Sequence, residues 1–230
     1  MLDISNLTIK HLSKLIASRE ISCSEVVDAT IERIEKLNPK LNAFITILDQ
    51  SARIEAKHAD SIIKQGKYLG PLHGIPISLK DLIYIKGVRS TSGSKIFADF
   101  VPDYDSTVSR RLRRAGAIIL GTNNLHEFAS GITNINPHYG PSKNPWDIDR
   151  MSGGSSGGPA VAVSSGMSLA SIGTDTSGSI RVPSSLCGIF GLKPTYGRVS
   201  KHGVMPLAPS IDHLGALAKS AGILLYYFRQ

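Results

Sequence analysis

Apolar residues recur at helical spacing through the first quarter of the chain. After Thr8, a suitable N-cap, Ile9, Leu12, Leu15 and Ile16 fall on one face. Ser24 is placed to cap a second helix from Glu25 to Leu37, with Val26, Val27, Ala29, Ile31, Ile34 and Leu37 as its stripe and Asn38-Pro39 as its stop. A short strand is predicted over Asn42 to Leu48, then a third helix from about Ser51 to Gln65, ended by Gly66. From Gly70 the pattern changes. Short apolar runs bounded by Gly, Pro and Ser (GIPISLKD, GAIILGTNN) alternate with helical patterns such as Ser106 to Ala115, which is α/β texture. Between Met151 and Gly178 the chain is rich in Gly and Ser yet keeps Ala160 to Val163 and Leu169 to Ile172, so it reads as ordered rather than as a linker. The prediction is one α/β domain with a mixed sheet flanked by helices. Residues 1–66 form a helical region packed on its outside, and 67–220 form the core.

Composition narrows the class. With 230 residues, 41% hydrophobic and 19% charged, the chain can bury a core, and it matches neither a disordered, a collagen-like nor a coiled-coil protein. Lys plus Arg exceed Asp plus Glu by 26 to 18, and the net charge of +8 permits an acidic partner without identifying one. There is no aromatic stacking strip or nucleic-acid motif, so direct nucleic-acid binding is not predicted. The run Arg110, Arg111, Arg113 and Arg114 reads as a solvated helix face. Cys23 and Cys187 lie far apart with no metal-ligand spacing around them, which predicts two reduced thiols and neither a disulfide nor a zinc site. The start, MLDISNLTIKHL, carries Asp3 and lacks a basic segment followed by an apolar run, and no stretch reaches the roughly 18 apolar residues of a membrane span. The chain reads as cytoplasmic, with no membrane contact and no cofactor.

Two Gly/Ser turns carry the candidate chemistry. Gly153-Gly154-Ser155-Ser156-Gly157-Gly158 precedes the helix-compatible PAVAVSSG, and GTDTSGSIRVP follows an apolar strand and opens a second helix near Arg181, with Pro183 tolerated in its first turn. A P-loop would need Lys-Ser or Lys-Thr after the glycines, where Pro159 and Ala160 stand. Gly153-x-Ser155-x-Gly157 fits a nucleophile elbow in form. The only downstream relay candidates near each other are Asp212 and His213, which are adjacent in sequence. A lysine can serve as base instead. Lys80 ends the apolar run GIPISLKD, where it is either a buried neutral amine or a surface lysine paired with Asp81.

These residues resemble the amidase signature family from about Thr8 to Ser220, most densely in GPLHGIPISLKD, NPWDIDRMSGGSSGGPAVAVSSG and GTDTSGSIRVPSSLCGIFGLKPTYGRVS. The resemblance implies a serine hydrolase acting on carboxylic amides through a Ser-Ser-Lys triad. It places the base at Lys80, the bridging serine at Ser155 and the nucleophile at Ser179, 24 positions further on, with Ser156 in support. It also implies a cis peptide between Gly154 and Ser155 and an oxyanion hole from the amides of Thr176, Ser177, Gly178 and Ser179, with Asp175 and Arg181 bracing the turn. Ser177 stands where the family has the first of two glycines. Family members are roughly twice as long, so the resemblance implies the N-terminal part of the fold, with AGILLYYFRQ in place of a continuing helix.

Two family functions are implied. One is an amidase acting on a small-molecule amide. The other is the A subunit of Glu-tRNA(Gln) amidotransferase, which LTIKHLSKLI and LNPKLNAFITI resemble. The partner would then be a second copy or the other amidotransferase subunits. The MDEFAMG-like and SLDQIGP-like segments of that amidotransferase component are replaced by Asn124-Leu125-His126-Glu127-Phe128-Ala129-Ser130-Gly131 and Ser210-Ile211-Asp212-His213-Leu214-Gly215, which favours the amidase. A third reading is an inactive fragment with its triad intact and its pocket incomplete.

Overall fold

The computed structural model describes residues 7–222. The reading of the N-terminal segment up to Asn6, including Asp3, lies outside the described residues, as does most of AGILLYYFRQ.

Three helices open the chain. In α1 (Ile9–Ala17) the Thr8 side chain accepts from the His11 amide at 3.2 Å, as the sequence predicts. Helix α2 (Cys23–Leu41) departs from prediction at both ends. Its N-cap is Ser22 and not Ser24, because Glu25 stands three residues after Ser22 and the two close a reciprocal capping box. Ser24 instead donates from its amide and hydroxyl to Asp60, at 3.1 and 2.6 Å. Nor does Asn38-Pro39 end the helix. Proline removes one donor, but the last turn closes through the Asn42 amide on Asn38 O at 2.8 Å, and left-handed Asn42 makes the stop. Helix α3 (Asp49–Lys64) follows the strand β1 (Phe44–Ile47).

The core is one mixed six-stranded sheet built from β1, β2 (Pro76–Lys80), β3 (Ile118–Asn123), β4 (Ala170–Asp175), β5 (Phe190–Leu192) and β6 (His213–Ala218), in the order β1-β3-β2-β4-β6-β5. The central trio β3, β2 and β4 is parallel, and the outer pairings are antiparallel. Parallel central strands carry near-continuous apolar runs because helices cover them: Ile77, Leu79, Ile118, Ile119 and Leu120 are all buried. Helices α2 and α3 pack against β2 and β3. Helix α4 (Thr107–Arg114) turns Val108 and Leu112 inward and leaves Arg110, Arg111 and Arg114 exposed, while Arg113 reaches Asp105 and Glu55. Helix α5 (Gly157–Ser164) is apolar on every side and buried from Gly157 to Val163. Its first turn presses on Asn124, since a Cβ at Gly158 would lie 2.2 Å from Asn124 O. Helix α6 (Arg181–Leu186) follows the turn after β4.

The strand order locates the site. From β2 the chain places β3 on one side and then β4 on the other, so the connections diverge at the carboxyl end of β2. Crevices that hold ligands in parallel sheets form at such switch points. Lys80 is the last residue of β2, and Asp175 is the last of β4.

Candidate active site

Lys80 is fully buried, and its Nζ donates to Ser155 Oγ at 2.7 Å and to Thr174 Oγ1 at 2.8 Å. Burial draws its pKa from 10.5 down to about 7, against the opposing pull of the negative charges of Asp175 and Asp212. The surface Lys80–Asp81 pair does not form. Asp81 is itself buried and accepts from the Thr91 amide at 2.8 Å and from the Thr91 hydroxyl. Burial lifts its carboxyl to about 6.

The turn before α5 brings Ser155 to the lysine. The Gly154–Ser155 peptide is cis, and the His126 amide donates to Ser155 O at 3.2 Å. Ser156 is tied to β4 twice: its hydroxyl donates to Thr174 O at 3.1 Å and accepts from the Thr174 amide at 3.3 Å. Its own amide donates to Ser179 O at 3.1 Å, which joins the two serine turns directly. The Gly157 amide donates to Asn134 Oδ1 at 3.1 Å, and Asn134 takes a left-handed φ of 61° to reach it.

The turn after β4 is built on Asp175. Its wholly buried carboxylate accepts from the amides of Gly178 (2.8 Å) and Ile180 (3.1 Å) and from Arg181 Nε and Nη2 (3.1 and 3.0 Å). Burial pushes this carboxyl up, but Arg181 and the amides of Ile180, Gly178 and Arg181 together hold it below its usual range. Asp175 and Arg181 thus brace the turn. The Gly178 amide, expected from the resemblance to face an oxyanion, donates here to Asp175 Oδ1 instead. Among the described residues, the amides of Thr176, Ser177 and Ser179 have no acceptor. Gly178 supplies the positive φ of the turn, +136°, while Ser177 is not among the positive-φ residues, so a side chain fits there without strain. Ser179 is 5% exposed, and its hydroxyl has no hydrogen-bond partner among the described residues.

Asp212 and His213 do not form a relay to Ser155. The Asp212 carboxylate accepts from the Thr176 hydroxyl at 2.6 Å and from the Leu207 and Ala208 amides at 2.9 and 3.0 Å, and His213 Nδ1 lies 3.2 Å from Asp175 O. A cavity of about 260 Å³ opens beside this group. Thr176 and Thr174, whose hydroxyl accepts from Lys80, line it, and Ala129, Met205, Leu207 and Leu214 supply apolar walls. Sequence reasoning missed Thr174, Asn134 and the His126 amide. Thr174 was findable as a hydroxyl near the carboxyl end of a central strand, whereas the other two arrive through loops that carry no periodic signal.

Among the described residues, no group of three His, Cys, Asp or Glu side chains is arranged to hold a metal, and no helix is long and apolar enough to cross a membrane. Cys23 and Cys187 are buried free thiols whose pKa burial pushes up to about 12, which keeps them protonated.

Comparison with known proteins decides the family. The Amidase family model matches residues 25–229. The chain belongs to the amidase family. It is 48% identical over 214 residues to the A subunit of the Glutamyl-tRNA(Gln) amidotransferase from Marinomonas sp. (strain MWYL1), covering 93% of this chain and 44% of that protein. A solved structure from a vestigial protein complex bearing on the origins of an s-triazine catabolic enzyme superposes with a TM-score of 0.95 at 43% identity, over 96% of this chain and 49% of that one. The native peptide amidase from Stenotrophomonas maltophilia superposes at 0.94 with 35% identity, over 98% and 48%. This amidase-family chain spans about half the length of the proteins it matches.

Proposed function

We propose that the chain hydrolyses a carboxylic amide through an acyl-serine intermediate, with Ser179 as nucleophile, Ser155 as proton relay and Lys80 as base. The carrying observation is Lys80, a fully buried amine with a pKa near 7 and a serine hydroxyl at 2.7 Å. A lysine titrating near the working pH is suited to general-base catalysis. In its neutral form it has two N–H groups and one lone pair, so it accepts the Ser155 proton while donating to Thr174.

As substrate enters, the Ser179 hydroxyl turns toward Ser155, a contact that tightens only in the complex. Ser179 Oγ attacks the amide carbonyl as its proton passes to Ser155 and the Ser155 proton passes to Lys80. The negative charge on the carbonyl oxygen is held by amides of the Thr176–Ser179 turn, where each such donor is worth about 10²- to 10³-fold in rate. The C–N bond breaks, the nitrogen takes the proton back through Ser155, and ammonia or an amine leaves. Water then attacks the acyl-Ser179 ester, its proton follows the same path, and a carboxylic acid is released with Ser179 restored.

A second reading, glutamine hydrolysis as part of an amidotransferase, is favoured by the 48% identity to an amidotransferase component. In both readings the chain acts on an amide in solution, with a second copy or further subunits as its protein partners. Ser179 labelling by a fluorophosphonate, read by mass spectrometry, together with acid release from amides that the Ser179→Ala variant lacks, tests the hydrolytic reading. Glutaminase activity that appears only with partner subunits and tRNA selects the second reading. A soluble chain with no labelling and no turnover is the inactive fragment.

A further inference from the structure

We infer that Asp81 is a positioning residue for the proposed reaction, holding Ser155 opposite Lys80 by way of two loops while touching neither substrate nor the reacting atoms. This rests on the hydrolytic reading and deepens it. Asp81 follows Lys80 directly, is wholly buried and takes no part in the proton path. Its amide donates to Asn123 O at 3.0 Å, which fixes it to the end of β3.

The loop of residues 90–94 wraps round this residue. Asp81 Oδ2 accepts from the Thr91 amide at 2.8 Å and from the Thr91 hydroxyl, and Asp81 O accepts from the Ser92 amide at 2.8 Å. The Thr91 hydroxyl in turn accepts from the Gly93 amide at 3.0 Å. This loop holds a second one at two points. Ser92 O accepts from the Phe128 amide at 2.9 Å, and Asn136 Nδ2 donates to Gly93 O and to Leu125 O at 2.8 and 2.9 Å. From the second loop the His126 amide reaches Ser155 O at 3.2 Å. Lys80 therefore fixes the hydroxyl of Ser155, and Asp81, through the loops, fixes its carbonyl. Ser92, Phe128 and Ala129 have left-handed φ values of 53°, 51° and 58°, which residues other than glycine keep only where surrounding contacts enforce them. Removing the Asp81 acceptor lets these residues relax, and the path they form ends at Ser155. Asparagine is the conservative exchange. Asp81 Oδ1 is buried and, like the hydroxyl of neighbouring Thr122, makes no hydrogen bond of normal length among the described residues. Asparagine keeps the oxygen that faces Thr91 and puts an NH2 group in place of Oδ1.

The test is kcat and KM for para-nitroacetanilide or glutamine, whichever the wild-type chain hydrolyses, with the rate of fluorophosphonate labelling of Ser179 in parallel. Circular dichroism establishes that each variant is folded at the assay temperature. Asp81→Ala should lower kcat about 10²-fold and leave KM within about twofold, because a relay displaced by about 1 Å costs rate and not binding. Labelling should slow in parallel. Thr91→Val keeps the carboxylate and removes the hydroxyl that joins Asp81 to Gly93, and should lower kcat about tenfold. Asp81→Asn should stay within about threefold of wild type. Where Asp81→Ala does not fold, Thr91→Val and Asp81→Asn decide. A folded Asp81→Ala or Thr91→Val with wild-type kcat, a loss confined to KM, or an asparagine variant as slow as the alanine variant overturns the positioning role, and with wild type still labelled at Ser179 it leaves the triad standing. Absence of both labelling and turnover in the wild-type chain overturns the hydrolytic reading and this one with it.

Discussion

Lys80 Nζ and Ser155 Oγ lie 2.7 Å apart although one belongs to the end of β2 and the other to the turn before α5, and both residues are wholly buried. The contact therefore depends on how α5 is seated against β2, and burial sets the pKa of the amine near 7. Only the neutral amine can take a proton, so kcat/KM for amide hydrolysis should rise with pH through about 7 and level off above it. A rate that is flat from pH 5 to 9 would show that Lys80 is not the base.

Thr174 offers a finer test of the same amine. Its hydroxyl accepts from Lys80 Nζ at 2.8 Å and so stabilises the charged form relative to the neutral one. Thr174→Val keeps the shape and removes that acceptor. The pH limb should shift downward, and the plateau rate should fall about tenfold or more as the amine loses one of its two fixed partners. A lower rate with an unmoved pH limb would assign Thr174 a packing role only.

Much of this was legible in the sequence because local rules and the global fold agree. The α/β alternation, the Thr8 cap and Lys80 at the end of an apolar strand all follow from spacing and residue chemistry. What was missed depends on residues distant in the chain. Asp60 takes Ser24 away from its expected capping role across 36 positions, and Asp175 accepts from the Gly178 amide that the family resemblance implied for an oxyanion. Pro39 sits in the last turn of α2, where a missing donor disturbs little, so a breaker rule placed the helix end too early.

Asp175 holds its turn through five N–H donors, and the pH dependence of that support follows from its depressed pKa. A carboxyl whose folded pKa lies below its unfolded value of about 3.9 stabilises the fold above that value and loses the contribution as pH falls through the folded pKa. Asp175→Ala should reduce stability by about 2 to 3 kcal/mol at pH 7, a value kept low because Arg181 is 54% exposed. Urea denaturation at pH 7 and at pH 3 measures this, and the difference between wild type and variant should shrink at the lower pH.

Ser177 and Gly178 are neighbours with opposite tolerances. Gly178→Ala places a Cβ on a backbone at φ +136° and should cost about 1 to 3 kcal/mol while slowing acylation, because the turn that presents Ser179 must shift. Ser177→Gly restores the family's glycine pair, yet Ser177 needs no positive φ. That change should leave the acylation rate within about twofold and lower stability slightly, by about 0.4 to 1 kcal/mol, through the looser unfolded chain. Fluorophosphonate labelling rates and urea midpoints on both variants decide the matter.

Lys80 should also be a place where function opposes stability. With a folded pKa of about 7 against an ordinary 10.5, the unfolded chain binds one more proton than the folded chain throughout that window. Stability then rises with pH from about 7 to 10 on account of this group, and at or below pH 7 its burial costs roughly 3 to 5 kcal/mol. Lys80→Met removes the titrating amine and fills the space with an apolar chain of similar length. The variant should hydrolyse no amide, unfold at a higher urea concentration than wild type at pH 7, and lose the rise in stability between pH 7 and 10. The gain is reduced by the unpaired hydroxyls of Ser155 and Thr174 that the substitution leaves behind. A variant less stable than wild type at pH 7, with the same dependence on pH, would mean that the buried lysine is held as a cation and that the fold depends on its charge.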